Sequence, residues 1–184
     1  MNAYCLPTSI QISEKVYEIR SDFRVIIDIL TAISDPDMED WERQEVMFQI
    51  LYVNSDDISV SDYNEACKKA AEFIDYNIPE GKPQPKTMDW KQDGAIIIPA
   101  VNKVAGKEIR SVDYLHWWTF LGYFMEIEEG MFSQVLSIRQ KKARHKKLEK
   151  WEKEFERNNS ELVKLKASRS AEQKREVDNI EKWL

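Results

Sequence analysis

Residues 112–127 read Val-Asp-Tyr-Leu-His-Trp-Trp-Thr-Phe-Leu-Gly-Tyr-Phe-Met-Glu-Ile and hold six of the chain's twenty aromatic side chains. Burying one such side chain removes roughly 150–250 Å² of surface from water, so we expect this stretch to lie in the core. Apolar residues occupy nearly all faces of a helix drawn through it, which predicts a central helix that begins near Ser111 or Asp113. We expect Trp117 and Trp118 to pack in the core, although paired tryptophans can also form a platform for a ligand.

The segments that precede this stretch also predict helices. Only 5 of the 184 residues are glycine and 33% are charged, a composition that favours helices over a loop-rich β fold. Ser21 or Asp22 can cap a first helix, whose apolar residues recur at helical spacing. Further helices are expected to begin near Asp37, near Ser59 or Ser61, and near Met88.

The remaining elements complete a mainly α fold. Ile10 and Ile12, and then Val16–Ile19, alternate with polar residues and predict a small N-terminal β-hairpin. Pro99 should kink or end the helix around it, because proline lacks the amide hydrogen that a helix interior needs. Beyond Gly130 the chain is rich in Lys and Glu, which predicts one long charged C-terminal helix.

Charge divides the chain into two predicted parts, a helical core domain over residues 1–138 and a basic tail over residues 139–184. The tail has 15 Lys and Arg against 9 Asp and Glu, whereas the core domain has 12 against 24. This division indicates self-association, or a charged partner for each part. The six basic residues that open the tail form a candidate basic patch: Arg139, Lys141, Lys142, Arg144, Lys146 and Lys147. Such a patch can contact phosphate groups, but a solvated or partner-docking face fits the acidic chain better.

An apolar stripe follows the basic patch. Its members recur at steps of three and four residues: Leu148, Trp151, Phe155, Leu162 and Leu165. The stripe covers about two and a half heptads, which is fewer than a coiled coil usually shows. Val177, Ile180 and Leu184 form a second, shorter stripe. Two interpretations stay open: the first stripe pairs with a helix of a partner, or it packs on its own domain.

The sequence contains no pattern typical of an enzyme or a metal site. The two histidines, His116 and His145, and the two cysteines, Cys5 and Cys67, are far apart, and neither Cys-x-x-Cys nor His-Glu-x-x-His occurs. We therefore expect a non-enzymatic protein without a cofactor, in which His116 and Cys67 pack as core residues. No run approaches the roughly 18–20 apolar residues of a membrane span, and no signal-peptide pattern opens the chain, so we expect a cytoplasmic protein.

Five strings of residues resemble a known family. In chain order they are Leu6-Pro7-Thr8-Ser9, Asp22-Phe23-Arg24, Asp89-Trp90-Lys91-Gln92-Asp93, Leu115-His116-Trp117-Trp118-Thr119-Phe120 and Ile138-Arg139-Gln140-Lys141-Lys142. Over roughly residues 5–157 they resemble the bacteriophage gene-product-fifteen family, tail-region proteins of siphophages and prophages of Gram-positive bacteria. The string with the paired tryptophans is the most specific of the five.

The resemblance implies a phage tail assembly protein. Genes of this family lie beside those of the major tail protein and the tape-measure protein, a position typical of tail assembly chaperones. Such a chaperone would bind the tape-measure protein, other tail assembly proteins and further copies of itself in the cytoplasm of the bacterial host. The alternatives are a structural tail component retained in the virion and a nucleic-acid-binding protein that uses residues 139–147. The resemblance supplies no catalytic, metal-binding or cofactor-binding residue.

Overall fold

The computed structural model describes residues 4–76 and 85–166. Within them the chain forms a two-stranded sheet and eight α-helices. The elements are β1 Ser9–Ile12, β2 Lys15–Glu18, α1 Phe23–Ala32, α2 Asp40–Leu51, α3 Tyr63–Ile74, α4 Trp90–Ala105, α5 Trp117–Met125, α6 Met131–Ala143, α7 Lys150–Asn158 and α8 Ser160–Val163. The prediction of a mainly α fold is confirmed. The second stripe, over residues 177–184, lies outside the described residues.

The predicted N-terminal hairpin is present. Strands β1 and β2 pair antiparallel, with Ile10 opposite Tyr17, and the tight turn between them places Ser13 at a φ of 51°. Ile10, Ile12 and Tyr17 are buried, and Lys69 of α3 donates to the Gln11 carbonyl at 2.5 Å. The hairpin therefore lies against α3, as a two-stranded sheet needs a second layer to cover its apolar face.

Side-chain caps fix where α1 and α2 begin. Asp22 caps α1, as predicted, since its carboxylate accepts from the Arg24 amide at 3.0 Å. Helix α2 begins at Asp40 rather than near Asp37, because Glu39 and Glu42 form a reciprocal capping box there. The local hydrogen bonds of this capping box decide the start of α2.

Pro99 was predicted to kink or end its helix, and the structure excludes the second outcome. The helix runs from Trp90 through Pro99 to Ala105. A proline inside a helix costs about 3 kcal/mol because one hydrogen bond is lost and the ring crowds the preceding turn. Ile97 and Val101, which are buried on either side of Pro99, anchor the helix in the core and offset this cost. Gly106, with a φ of 65°, closes the helix.

The aromatic helix α5 is central but shorter than predicted. It begins at Trp117, because the side chain of His116 accepts from the Trp118 amide and caps the helix. Residues Ile109–Ser111 form a separate 3-10 turn, so the predicted start near Ser111 or Asp113 is wrong. Helix α5 packs against α1 and α4, and four of its side chains are buried: Trp117, Trp118, Phe120 and Leu121.

The chain beyond Gly130 is not one long helix. It forms α6, α7 and α8, separated by a turn in which His145 has a φ of 53° and by a break at Asn159. A second capping box, formed by Glu149 and Glu152, starts α7. The predicted boundary after residue 138 falls inside α6, so α6 belongs to both predicted parts.

Two hydrophobic clusters hold these elements. The larger cluster joins the hairpin, α1 to α5 and Phe132. The smaller one centres on Val135 and Ile138 of α6 and Val163 of α8. The partly buried side chains around the smaller cluster are Ile96, Leu148, Phe155 and Leu162. The described part of the tail is therefore packed on α4 and α6.

Candidate partner-binding surfaces

Two of the family strings meet in one buried junction. The carboxylate of Asp22 accepts from the Leu115 amide at 2.9 Å, and the Phe23 amide donates to the Leu115 carbonyl at 2.9 Å. The rings of Phe23 and Phe120 stack at a centroid distance of 4.8 Å. Asp22, Phe23 and the aromatic string therefore join α1 to α5 and have a structural role.

Arg24 completes this junction. Its guanidinium pairs with Asp22 at 3.0 Å and lies 4.7 Å above the Phe23 ring. It also donates to backbone carbonyls of the 3-10 turn, with Val112 the nearest acceptor at 2.6 Å. These bonds use the donors of Arg24 within the chain, so Arg24 fixes the segment that leads into α5.

His116 is confirmed as a packed residue. Only 2% of it is exposed, and its Nδ1 atom accepts from the Trp118 amide at 3.0 Å. In the neutral ring the proton therefore lies on Nε2, which donates to the Pro7 carbonyl at 2.9 Å. Burial lowers the pKa of His116, although the bond to Pro7 acts in the opposite direction. His116 thus caps α5 and ties it to the N-terminal family string.

The paired tryptophans close the end of α3 and do not form an open platform. The indole nitrogen of Trp117 donates to the Ile74 carbonyl at 2.8 Å, and that of Trp118 donates to the Phe73 carbonyl at 2.9 Å. Both rings are buried, so the core interpretation is confirmed. Cys67 is also buried, as predicted.

The predicted basic patch is broken up in the structure. Arg139 is only 6% exposed and makes a two-pronged ion pair with Asp93, with bonds of 2.7 and 2.9 Å. Lys141 pairs with Glu152 at 2.6 Å, and Lys142 pairs with Glu156. The six residues therefore do not form a single surface. Arg144, Lys146 and Lys147 are exposed.

Arg139 was predicted to lie in the basic patch, but its side chain is buried. Besides Asp93, it donates to the carbonyls of Leu162 and Val163 at 2.6 and 3.0 Å, and to the Thr87 carbonyl at 3.1 Å. All five N–H groups of the guanidinium thus have an acceptor. Asp93 and Arg139 both lie in family strings, and this is the one feature of the sequence that could have linked the two residues.

The apolar stripe is divided between packing and exposure. Leu148, Phe155 and Leu162 are partly buried against the smaller hydrophobic cluster, and Leu165 is also partly buried. Trp151 is 53% exposed. Most residues of the stripe thus pack on the chain's own helices. Trp151 is the member of the stripe that a partner can contact. Partner binding by the stripe stays a prediction.

A groove that the sequence did not indicate lies between α4 and the loop before α6. It has a volume of about 420 Å³ and is lined by Ala100, Lys103, Val104, Glu126, Ile127, Glu128, Glu129 and Gly130. Two large apolar residues flank the loop in sequence, Met125 at 50% and Met131 at 45% exposure. We call this the α4–α6 groove; its partly buried apolar side chains and its exposed carboxylates suit a helix of a protein partner.

Two further structural tests concern membranes and metals. Among residues 4–76 and 85–166, no helix is long and apolar enough to cross a membrane. The same residues hold no group of three or more His, Cys, Asp or Glu side chains that is arranged to share a metal ion.

Comparison with known proteins agrees with the resemblance. Neither the curated proteins nor the solved structures gave a significant match. A family model described as Bacteriophage Gp15 protein matches residues 4–165, which include all five family strings. This match covers most of the chain, and the chain therefore belongs to the bacteriophage Gp15 protein family.

Proposed function

We propose that this phage protein is a non-enzymatic tail assembly chaperone that binds the tape-measure protein transiently in the host cytoplasm and also binds itself. A tape-measure protein is a long helical chain with apolar stripes, which aggregates unless another protein covers them. The observation that carries the proposal is the α4–α6 groove, whose lining combines apolar side chains with exposed carboxylates.

The groove has the chemistry that transient helix binding needs. Ala100, Val104 and Ile127 offer apolar contact to the apolar stripe of a helix. The exposed carboxylates of Glu126 and Glu128 favour helices that carry Lys or Arg beside their apolar stripe. Many weak contacts of this kind along one tape-measure protein give firm overall binding that tail-tube subunits can still displace.

The broken basic patch argues against the nucleic-acid alternative. Three of its six cations pair with carboxylates of the same chain, including the buried Arg139. Phosphate binding would therefore depend on the few exposed cations near Lys146 and Lys147, in a chain whose net charge is −6.

Co-expression with the tape-measure gene of the same phage tests the proposal. We expect an affinity pull-down of this protein to recover soluble tape-measure protein, with several copies of the chaperone on each. Val104→Glu places a charge in the floor of the groove, and Glu128→Lys reverses a charge on its rim. Both variants should recover less tape-measure protein.

Val60→Glu is the matched control, because Val60 is 94% exposed on a 3-10 turn outside the groove. It should recover as much tape-measure protein as the wild type. An insoluble tape-measure protein in the presence of the wild-type chain would contradict the proposal. Abundant copies of this protein in purified virions would instead favour a structural tail component.

A further inference from the structure

Two exposed tryptophans lie on helix faces of opposite charge. Trp41 is 68% exposed in the first turn of α2, and Trp151 is 53% exposed in the first turn of α7. An exposed tryptophan leaves a large apolar surface in water, and tryptophan is strongly enriched among the residues that dominate protein–protein interfaces. Both positions therefore indicate contact with a protein.

The acidic Trp41 face consists of Asp35, Asp37, Glu39, Asp40 and Trp41. All five residues are exposed, and residues 35–42 contain no Lys or Arg. Arg43 connects two residues of this face, because it pairs with Asp40 at 3.0 Å and donates to the Asp35 carbonyl at 3.0 Å. The face thus carries four carboxylates, of which that of Asp40 is paired with Arg43.

The basic Trp151 face consists of Lys146, Lys147, Lys150, Trp151 and Lys153. All five residues are exposed. In the described part of the chain, the ammonium groups of these four lysines have no carboxylate within ion-pair distance. The capping box at Glu149 and the Lys141–Glu152 pair fix this face on α6.

We propose that the acidic Trp41 face of one copy binds the basic Trp151 face of a second copy. Each face is exposed in the folded chain, so the two do not cover each other within one molecule. Their charges are complementary, and each offers one tryptophan as the apolar centre of a contact rimmed by ion pairs. Lysines beside a tryptophan ring add cation–π attraction.

The two faces differ, so the interface is heterologous and the copies assemble head to tail. In an open assembly, the acidic Trp41 face stays free at one end and the basic Trp151 face stays free at the other. Further copies can therefore bind, or the two ends can meet, which gives open chains or closed rings instead of a dimer. Exposed ion pairs contribute little each and are screened by salt, so the association should be weak, reversible and sensitive to ionic strength.

This inference rests on the proposed function in one respect: a head-to-tail array is the arrangement by which many chaperones would cover one long protein. The α4–α6 groove is not part of either face, so it stays available to the tape-measure protein in the array. Self-association can be measured without any tape-measure protein, so the two proposals can fail separately.

Sedimentation velocity of the purified full chain tests the inference. At about 50 mM salt, where exposed charges are weakly screened, we expect species larger than a dimer that grow with protein concentration and dissociate at about 500 mM salt. Trp41→Ala and Trp151→Ala should each weaken the association by about 30-fold, the effect of losing a central interface residue. Val60→Ala, an exposed apolar control, should assemble like the wild type.

The decisive experiment is sedimentation velocity of a mixture of the two tryptophan variants. Trp41→Ala keeps the basic Trp151 face, and Trp151→Ala keeps the acidic Trp41 face. An equimolar mixture should therefore form a 1:1 complex that does not grow, although neither variant assembles alone. A wild type that is monomeric at low salt, variants that assemble normally, or a mixture that stays monomeric would each overturn the inference.

Discussion

The carboxylate of Asp93, near the start of α4, lies 2.7 Å from the guanidinium of Arg139 in α6, and both side chains are buried. Arg139 also holds the carbonyls of Leu162 and Val163, so the pair connects three segments of the chain. The Asp89 amide donates to Asp93 at 2.9 Å and completes the site. The pair therefore fixes the described part of the tail on the body.

Removing one partner of this pair should strongly destabilise the fold. Asp93→Ala leaves a buried guanidinium without its counter-charge, and we expect the free energy of unfolding to fall by about 3–5 kcal/mol. Urea denaturation followed by tryptophan fluorescence measures this change. Arg157→Met is the matched control, because Arg157 is exposed and lies 3.9 Å from Glu154; its effect should stay within about 0.5 kcal/mol.

The double variant Asp93→Leu with Arg139→Met separates the ion pair from the packing around it. Without either charge, no unpaired ion is buried, so the double variant should lose less stability than the two single variants together. Strictly additive losses would show that the pair contributes no coupling.

Stability should depend on pH through His116. Burial lowers its pKa in the folded protein below the usual value of about 6.5, so the unfolded chain binds the proton more tightly. The contribution of neutral His116 is therefore present above about pH 6.5 and decreases as the pH falls below it. We expect the free energy of unfolding to decrease between about pH 6.5 and 5, before carboxylates titrate.

His116→Asn should flatten this dependence, because an asparagine side chain can still cap α5 but does not titrate. His145→Asn, which replaces the exposed histidine, is the control for the loss of a histidine elsewhere in the chain. Equal slopes for all three proteins between pH 6.5 and 5 would contradict the assignment.

The junction between α1 and α5 should depend on the carboxylate of Asp22. Asp22→Ala removes the cap of α1 and leaves the Leu115 amide without its acceptor, so we expect a loss of about 2–3 kcal/mol. Asp22→Asn keeps an oxygen acceptor and should lose about half as much. Asp28→Ala, on the exposed side of α1, should change the free energy of unfolding by less than about 0.5 kcal/mol.

Two glycine-to-alanine substitutions should have opposite signs. Gly106 ends α4 at a φ of 65°, where a side chain is strained, so Gly106→Ala should cost about 1 kcal/mol. Gly122 lies in α5 with open space around the position of an added Cβ, so Gly122→Ala should stabilise by about 0.5–1 kcal/mol. Thermal unfolding of both variants beside the wild type checks the prediction, and a shift of the same sign in both would disprove it.

Local patterns predicted most of the fold. The alternation around Ile10 and Ile12 gave the hairpin, and apolar spacing after Asp22 gave α1, because each element is encoded by residues close together in sequence. Pro99 shows the limit of such rules. The local preference against proline was overridden by the burial of Ile97 and Val101, which no local pattern can weigh.

The candidate surfaces were harder to predict, because exposure is a property of the folded chain. The sequence identified the basic residues after Ile138 but could not show that Arg139 faces inward to Asp93, a residue 46 positions away. It also gave no sign of the α4–α6 groove, whose walls come from α4 and from the loop before α6.

The sequence by itself determined the helical class, the buried aromatic helix and the family, because these depend on the composition, periodicity and spacing of residues within single segments. Tertiary structure alone decided which charges pair and which stay in water. Arg139 and Lys150 look alike in the sequence, but one is held by a buried carboxylate and the other lies beside an exposed Trp151. Packing between distant segments sets this difference, and it separates the residues that hold the fold from those available to a partner.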